Sequence, residues 1–458
     1  MAKKSIFVVI MAGGHGTRMK SRLPKILHPL GGLPIGAHVM HLAEKLLPAN
    51  ILCLIPPSDN TEKDNGLKNL FYPHRLLTQD KPLGTGHAAK IAAQEFDKEF
   101  IGDDDDRAVV VFLYGDSPLF RLSTIEKLIS QLDDHDLALL TFQSSTQYPY
   151  GRLQIKNHQV VDIIEAKDYA HTANNQEQNS IFNSGIMAVK WQLGDKNLYE
   201  LLTTINADNQ AGEYYLTDLV KIVSSMGLKT TYQITNEEEC LGINNQNDLA
   251  NATKILQDRW RQNFMAHGVH LPDPSSVFFS HDTTIEPDVT IEPFVMIHPE
   301  VHIASGAVIK SFSHLSQTQI GKNAIIGPYA RIRYGTKIMN NAKVGNFVEI
   351  KNTIFGTSAK ANHLTYLGDS DIGENANIGA GAITCNYDGE KKSQTTIGKN
   401  AFIGSNSALV APIKIGEGAV VGAGSTITKD VDKDALAIER SQQASILGYR
   451  QKKWKNKK

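Results

Sequence analysis

An α/β domain with a parallel sheet, followed by a parallel β-helix, is the fold class that this 458-residue sequence predicts. In the amino-terminal half, short apolar runs alternate with helix-like stretches, which indicates buried parallel strands covered by helices on both faces. From Ile285 onward, an aliphatic residue returns at every sixth position, a period that neither an α-helix nor a hairpin sheet can use. The chain also exceeds the roughly 250–300 residues at which a single hydrophobic core stops growing.

Four apolar runs in the amino-terminal half predict strands, at 6–11, 51–55, 109–114 and 137–142. Two stretches between them, 34–47 and 85–96, predict helices. In parallel sheets, ligands bind on the loops that follow the carboxyl ends of the strands. The loops after the first and third of these strands are therefore candidate ligand-binding loops.

The aliphatic repeat of the second half runs through three series, at 285–309, 320–350 and 397–427. A period of six places one short strand on each side of a three-sided prism, with the repeated side chain stacked inside. The series break at 309–320, 350–372 and 378–397. At the first break we expect a truncated or irregular coil, and at the other two we expect insertions that leave the coil and project polar side chains.

Between the two halves, a linker helix is predicted at 247–267. Apolar side chains recur there at helical spacing, namely Leu249, Ala252, Leu256, Trp260 and Phe264. We therefore expect an α/β domain at 1–246 and a β-helix domain at 268–458.

Composition restricts the function classes. A net charge of −1 and a pI near 7.0 argue against a dedicated nucleic-acid-binding protein. Cys53, Cys240 and Cys385 have no paired spacing, which fits a reduced cytosolic protein without disulfides or a zinc site. The apolar start is too short for a membrane span. We expect a cytoplasmic protein that binds neither nucleic acid nor membranes.

The loop at 11–19 follows the first predicted strand and is rich in glycine. Its glycines allow backbone N–H groups to approach an anion, and Arg18 and Lys25 add positive charge. The loop has neither the Walker pattern nor the dinucleotide spacing. It predicts a nucleotide phosphate site, and the alternative is a tight turn with two surface cations.

Asp116 follows the third predicted strand, in the sequence Tyr114–Leu119. A carboxylate at such a strand end is well placed to hold a hard divalent cation beside phosphates. The alternative is an aspartate that caps the helix expected near Ser123.

Several motifs resemble those of nucleotidyltransferases that activate sugar 1-phosphates. They include Gly14-x-Gly-Thr-Arg-Met19 with Pro24-Lys25, Leu83-Gly-Thr-Gly-His87, Tyr114-Gly-Asp-x-Pro-Leu119, Phe182-Asn-Ser-Gly185 and Glu213-Tyr-Tyr-Leu-Thr-Asp218. Joined to a hexapeptide prism, the whole chain resembles the bacterial bifunctional N-acetylglucosamine-1-phosphate uridylyltransferases/glucosamine-1-phosphate N-acetyltransferases. The resemblance implies a Rossmann-like nucleotidyltransferase domain and a left-handed β-helix.

This resemblance implies two reactions in sequence. Glucosamine 1-phosphate is acetylated with acetyl-CoA, and UMP is then transferred from UTP to N-acetylglucosamine 1-phosphate. The products of the second reaction are UDP-N-acetylglucosamine and pyrophosphate, and Mg²⁺ is the implied cofactor.

For uridylyl transfer, the resemblance implies that Asp116 and Asn244 hold Mg²⁺, while Arg18 and Lys25 neutralise the triphosphate. The other implied contacts to nucleotide and sugar are Met11, Ala12, Gly13, Gly14, Gln79, Gly84, Thr85, Tyr114, Gly115, Gly151, Glu165 and Asn183. Two positions depart from the family pattern. Gly13 stands where alanine is usual, and His15 stands where lysine is frequent; we expect the loop to tolerate the smaller Gly13.

For acetyl transfer, His363 is the expected general base, because an imidazole with a pKa near about 6.5 suits removal of an amine proton at neutral pH. The alternative is a histidine at a coil corner, hydrogen-bonded to backbone. The flanking Leu364–Asp369 matches the family motif and favours catalysis.

The resemblance also assigns the neighbours of His363. Asn386 stabilises the tetrahedral oxyanion, and the implied sugar-phosphate contacts are Arg333, Lys351, Tyr366, Asn377 and Lys392. The implied acetyl-CoA contacts are Ala380, Asn386, Tyr387, Ser405, Ala423 and Arg440.

A homotrimer is expected, because prisms of this family form trimers and because the segment 385–396 is predicted to project toward a neighbouring subunit. Two other functions use the same domain pair. One is a non-catalytic regulatory subunit, which could lose Lys25, Asp116, Asn244 or His363 without penalty. The other is a monofunctional nucleotidyltransferase whose prism only oligomerises.

Overall fold

The computed structural model describes residues 4–14, 16–57, 61–98, 107–146, 148–169 and 180–454. His15 lies outside these residues. The chain forms two compact units, Met1–Leu256 and Gln257–Lys458, and the division falls inside the helix Gln246–Ala266.

The first unit is built on a mixed sheet. Its strands lie side by side in the order Thr230–Thr235, Leu137–Ser144, Ser180–Lys190, Ala108–Tyr114, Ser5–Met11, Asn50–Ile55 and Arg75–Thr78. A hairpin of Arg152–Lys156 and Gln159–Ile164 joins this sheet through a pair between Arg152 and Phe182. The four predicted strands are confirmed, with small changes at their ends.

The sheet is not wholly parallel, and this corrects the prediction. Ser180–Lys190 runs antiparallel to both of its neighbours, Ala108–Tyr114 and Leu137–Ser144. The reversal has a consequence for the site. The amino-terminal part of this strand, with Asn183, lies at the edge where the parallel strands end.

Helices cover both faces of the sheet, as expected for strands buried on both sides. Phe7, Val9 and Met11 pack in one core with the helix Thr85–Asp97, while Val8 and Ile10 pack in another with the helix Ile35–Lys45. The other helices of this unit are Thr61–Phe71, Leu122–Ser130, Ala166–Tyr169, Leu198–Thr203 and Asp218–Ser225. Short 3-10 turns lie at Thr17–Met19, Lys25–Leu27, Gln131–Asp133 and Glu237–Cys240.

The second unit is a parallel β-helix with three sides. The first side carries Thr290–Ile291, Val308–Ile309, Ile325–Ile326, Lys343–Asn346, Lys360–His363, Asn377–Ile378, Phe402–Ile403, Val420–Val421 and Leu436–Ala437. The second carries Met296–Ile297, His314–Leu315, Arg331–Ile332, Ile383–Cys385, Ala408–Val410 and Thr426–Ile427. The third carries Thr284–Ile285, Val301–Ile303, Thr318–Ile320, Thr336–Ile338, Thr395–Ile397 and Ile413–Ile415.

Two longer strands, Glu349–Phe355 and Tyr366–Ile372, continue from the second side onto the third without interruption. The predicted break at 350–372 is therefore wrong, because no residues leave the coil there. Phe355, Ala361 and Leu367 fill the interior positions in this stretch. The period was hidden because the spacing between interior residues falls from six to five at two corners, before Phe355 and before Ile372.

The coil at 309–320 is complete, and the expectation of a truncated coil is wrong. Leu315 is fully buried, and its strand pairs with Met296–Ile297 on one side and Arg331–Ile332 on the other. Only the corner between Leu315 and Ile320 is one residue shorter.

The third predicted break is confirmed as an excursion from the coil. Thr384 still points inward, and the chain then leaves the prism and returns at the strand Thr395–Ile397. An antiparallel bridge between Tyr387 and Lys392 closes the excursion into a loop.

The predicted linker helix is present at Gln246–Ala266. Ala252 packs with Leu30 and Ile35 in the first unit, while Trp260 and Phe264 pack against the β-helix core in the second. In the described part of the chain, no helix is both long and apolar enough to cross a membrane. The remaining helix, Tyr449–Trp454, lies near the end of the chain.

Candidate functional sites

A cavity of about 550 Å³ opens at the carboxyl-terminal edge of the sheet in the first unit. Most residues assigned to nucleotide and sugar line it, namely Met11, Ala12, Gly13, Gly14, Lys25, Gln79, Gly84, Thr85, Tyr114, Asp116, Gly151, Glu165, Asn183 and Asn244. Gly115 lies behind this wall, where its N–H donates to the Met11 carbonyl at 3.0 Å. Arg18 is exposed and is not one of these lining residues.

Lys25, Asp116 and Asn244 come from three distant segments and meet at one point of the cavity. The Lys25 ammonium contacts the Asp116 carboxylate and lies 3.3 Å from Asn244 Oδ1. The Arg18 guanidinium donates to the same Asn244 oxygen at 2.8 Å. Asn244 is held in place because Ile243 N–H donates to the Asp116 carbonyl at 2.9 Å.

The oxygen atoms of Asp116 and Asn244 fit a hard divalent cation, because both converge on the same ammonium. Carboxylate and amide oxygens are the donors that Mg²⁺ and Ca²⁺ prefer. No group of three or more His, Cys, Asp or Glu side chains suited to a metal occurs in the part of the chain that the structure describes. A cation at Asp116 and Asn244 would thus take its remaining ligands from phosphate and water, as Mg²⁺ commonly does.

A tight loop shapes the wall of the cavity around Gln79 and Gly84. The Gln79 amide donates to the Gly84 carbonyl at 3.0 Å and lies 3.1 Å from His87 Nδ1. Gly84 has φ 105° and ψ 175°, a conformation that essentially only glycine adopts. A Cβ on Gly13 would lie 3.1 Å from Gln79 Oε1, so the small residue at position 13 leaves the Gln79 amide more room.

Glu165 and Asn183 face the cavity from the hairpin and the antiparallel strand. The Asn183 N–H donates to the Gly151 carbonyl at 2.8 Å. The Glu165 carboxylate accepts from the Thr217 hydroxyl at 2.8 Å. Asn183 reaches this edge only because its strand is antiparallel.

Sequence reasoning gave no role to Tyr215 and Thr217, which also line this cavity. Burial, together with the nearby carboxylates of Asp168 and Glu213, raises the pKa of Tyr215 to about 12, so the phenol is a neutral hydrogen-bond donor. The motif Glu213–Asp218 was a family match, but it follows no strand of the sheet. The expectation that ligands bind on the loops after strand ends therefore could not identify these two residues.

In the second unit, His363 is exposed at the end of the strand Lys360–His363. Its Nδ1 lies 2.5 Å from the Asn346 side-chain oxygen, so the ring is bonded to a side chain rather than to backbone. Each of these residues stands two positions after an interior residue, Val344 and Ala361, in successive coils.

The same position in later coils is occupied by Ala380, Ser405 and Ala423, three of the assigned acetyl-CoA contacts. Backbone bonds join these corners, since Asn406 N–H donates to the Ala380 carbonyl and Gly424 N–H to the Ser405 carbonyl, both at 2.8 Å. We call this row the 363 column: Asn346, His363, Ala380, Ser405 and Ala423. Tyr387 and Arg440 are exposed, the first in the excursion and the second beyond the last coil.

Asp369 organises the polar residues on the next side of the prism. It accepts from Asn352 at 2.6 Å and from the amide of Asn386. Burial opposes its ionisation, but these hydrogen bonds and the charges of Lys351 and Lys392 hold the pKa of the Asp369 carboxyl below its usual range. Sequence reasoning gave Asp369 no role.

The remaining assigned sugar-phosphate residues lie on two sides of the prism. Arg333 donates to Glu349 at 2.6 Å and stacks on the Tyr334 ring, 5.8 Å from its centroid. Tyr366 lies on the second side, whereas Asn377 lies on the first side, paired with Lys360.

Fold and site together define a sugar nucleotidyltransferase joined to a hexapeptide acyltransferase. The MobA-like NTP transferase domain matches residues 8–191. Two hexapeptide families match the prism: the bacterial transferase hexapeptide (six repeats) at 317–352, and the hexapeptide repeat of succinyl-transferase at 394–429.

Similar proteins identify the family. The bifunctional protein GlmU of Wolbachia pipientis wMel is 42% identical over 97% of this chain and 99% of its own length. GlmU of Agrobacterium fabrum is 43% identical over 96% of this chain and 94% of its own length. The chain belongs to the GlmU family. It is therefore a bifunctional enzyme, a glucosamine-1-phosphate N-acetyltransferase and an N-acetylglucosamine-1-phosphate uridylyltransferase, that makes UDP-N-acetylglucosamine.

Among solved structures, a putative glucose-1-phosphate thymidylyltransferase from Bacillus anthracis covers 56% of this chain and 96% of its own, with 18% identity and a TM-score of 0.41. Membership of the enzyme family disfavours both a regulatory subunit and a purely oligomerising prism.

Replacing Gly84 by alanine should damage uridylyl transfer. The added Cβ would stand 2.5 Å from the Tyr214 carbonyl, and the backbone conformation at 84 would be strained. We expect kcat/KM for UTP to fall by about tenfold or more, because small displacements of a binding wall cost rate steeply. Steady-state kinetics and thermal unfolding measure the two effects.

The control is Gly227→Ala, where φ is 76° but no atom lies within 4 Å of the added Cβ. It should lose about 1–3 kcal/mol of stability through backbone strain alone, and it should keep uridylyl transfer. Equal melting temperatures and equal kinetics for the two variants would contradict the assigned role of the Gly84 loop.

Proposed function

We propose that uridylyl transfer occurs in the cavity of the first unit and acetyl transfer at the 363 column. The first assignment rests on the convergence of Lys25, Asp116 and Asn244, which are far apart in sequence. The second rests on the row that His363 forms with three assigned acetyl-CoA contacts.

In uridylyl transfer, the sugar phosphate attacks the α-phosphorus of UTP and pyrophosphate leaves. This displacement requires positioning and charge neutralisation more than covalent catalysis by the protein. Arg18 and Lys25 supply two positive charges: Lys25 lines the cavity, and Arg18 contacts the lining residue Asn244. Asp116 and Asn244 would hold Mg²⁺, which supplies further charge neutralisation on the phosphates.

The remaining lining residues recognise the two substrates. The loop Met11–Gly14, with Gln79, Gly84 and Thr85, binds the uridine part of UTP. Gly151, Glu165 and Asn183 bind the N-acetylglucosamine part. The support is that both sets of residues line the same cavity, together with Lys25 and Asp116.

In acetyl transfer, His363 accepts the proton of the attacking amine, and Asn386 stabilises the oxyanion. Arg333, Lys351 and Lys392 bind the sugar phosphate, because several convergent cations favour a phosphate group. Tyr366 and Asn377 bind the sugar. Ala380, Tyr387, Ser405, Ala423 and Arg440 bind acetyl-CoA.

We propose a cytoplasmic homotrimer. An aromatic ladder of Phe294, Phe312, Tyr329 and Phe347 runs along one corner of the prism, and each ring is about half exposed. Leu364, which is 61% exposed, continues it beside His363. An apolar strip of this length is typical of an interface. Tyr366 and Asn377 lie on different sides of one prism. A neighbouring subunit packed on this corner would allow Tyr366 of one subunit and Asn377 of the other to bind the same sugar.

Asp116→Asn should impair uridylyl transfer and spare acetyl transfer. It removes the negative charge at the proposed cation site, so we expect a fall of about a hundredfold or more in kcat and a higher Mg²⁺ requirement. Kinetics at graded Mg²⁺ concentrations and Mn²⁺ binding by electron paramagnetic resonance test this. Asp208→Asn, at an exposed position of the same unit, is the control. Unchanged Mn²⁺ affinity in Asp116→Asn would contradict the metal assignment.

His363→Ala should abolish most acetyl transfer while uridylyl transfer stays near normal. Loss of a general base costs about 10²–10⁴ in rate. Both reactions are followed with glucosamine 1-phosphate, acetyl-CoA, UTP and Mg²⁺, and His302→Ala, an exposed histidine of the same prism, is the control. Acetyl transfer within threefold of the parent enzyme would exclude His363 as the base.

Light scattering should give a mass about three times 50.3 kDa. Phe312→Asp places a charge inside the aromatic ladder, so it should dissociate the trimer and reduce acetyl transfer, with uridylyl transfer retained. An exposed apolar residue away from the ladder, Ile354→Asp, is the comparison. A monomer with full acetyltransferase activity would overturn the proposed assembly.

A further inference from the structure

The strands Lys343–Asn346 and Lys360–His363 are neighbours on the first side of the prism, and their register pairs Asn346 with His363. Gly345 permits this close approach. A Cβ on Gly345 would stand 1.9 Å from the Asn362 carbonyl oxygen, so any side chain there would force the two coils apart. The contact between the Asn346 amide and the His363 ring is therefore built into the stacking of the coils.

The hydrogen bond determines which ring nitrogen carries the proton. The atom facing His363 Nδ1 is the Asn346 Oδ1, at 2.5 Å. An amide oxygen accepts hydrogen bonds and cannot donate them, so Nδ1 must be the donor. In a neutral imidazole this leaves the lone pair on Nε2, which is the nitrogen that can take up a proton.

We propose that Asn346 is a positioning residue for acetyl transfer: it holds the His363 ring in the tautomer whose Nε2 accepts the amine proton. This inference rests on the proposed role of His363 as the base. In the reaction, the amine nitrogen bonds to the thioester carbon, the C–S bond breaks, and the amine proton passes to Nε2 and then to the departing thiolate of CoA.

The partner is a neutral amide, and this matters for proton release. A carboxylate in this place would favour the imidazolium and hold the proton. The amide orients the ring without adding a charge. The titratable groups nearest along these elements are Lys343 and Lys360, three residues earlier on the two strands, and Glu349 and Tyr366, which begin the following strands. Glu349 is engaged by Arg333 and Arg331, at 2.6 and 3.6 Å.

Two variants at position 346 separate orientation from charge. In Asn346→Ala the ring loses its acceptor, so kcat for acetyl transfer should fall by about tenfold or more, with KM for both substrates within about twofold. In Asn346→Asp the acceptor is kept and made negative, so the acid limb of the pH–rate profile should move upward by about one unit or more. The substrate amine titrates identically with both enzymes, so the difference between the profiles reports the enzyme.

Thermal unfolding and light scattering of the same samples report whether the prism of each variant is folded and assembled, and uridylyl transfer reports only on the first unit. Gln319→Ala is the control for an exposed amide on a strand of the prism. A purely structural role for Asn346 predicts lower thermal stability in both variants and no shift of the acid limb. An unshifted acid limb in Asn346→Asp, or a kcat within twofold in Asn346→Ala, would overturn the proposal.

His363→Ala, assayed beside them, distinguishes this inference from the proposed function. If His363→Ala retains acetyl transfer, the base itself is misassigned. If His363→Ala is inactive while both Asn346 variants behave as the parent enzyme, only the positioning role fails.

Discussion

Backbone hydrogen bonds between successive coils are the constraint on which the second unit depends. They fix the separation of the coils, as in the bonds from Ile325 N–H to the Ala342 carbonyl and from Gly404 N–H to the Val421 carbonyl, at 3.0 and 2.8 Å. At this separation, several corner positions have no space for a Cβ, for example Gly345 and Gly404. Side chains at equivalent positions must then stand in rows, and the 363 column is such a row.

The first unit brings its residues together by a different principle. Parallel strands end at a common edge, so the loops after Met11 and Tyr114 are neighbours although they are a hundred residues apart. The antiparallel strand Ser180–Lys190 adds residues from its beginning to the same edge. Lys25, Asp116 and Asn244 meet there, and the opposite charges of Lys25 and Asp116 offset one another before any phosphate binds.

Much of this architecture could be predicted from the sequence, because a strong period or a long apolar run reports directly on burial. The strand ends and the glycine loop led to Met11–Gly14, Lys25 and Asp116, whereas the family resemblance supplied the other predicted lining residues. Strand direction could not be predicted, since the side-chain pattern of a strand such as Ser180–Lys190 is the same whether its neighbours run parallel or antiparallel. The stretch 350–372 was misjudged because Ala361 is a weak signal and because the interior spacing falls to five at two corners, before Phe355 and before Ile372. Asn346 was missed for the same reason. Its partner His363 follows 17 positions later, because the coil between them contains one of the shortened corners.

Because its corners can be shortened, the prism can change in length during evolution without losing its strand pairing. A residue can be deleted between Leu315 and Ile320, and the coils above still meet their neighbours in register. Insertions are absorbed in the same way, as the excursion after Thr384 shows. Length variation is therefore confined to the edges of the prism, and new loops can be acquired there without rebuilding the interior.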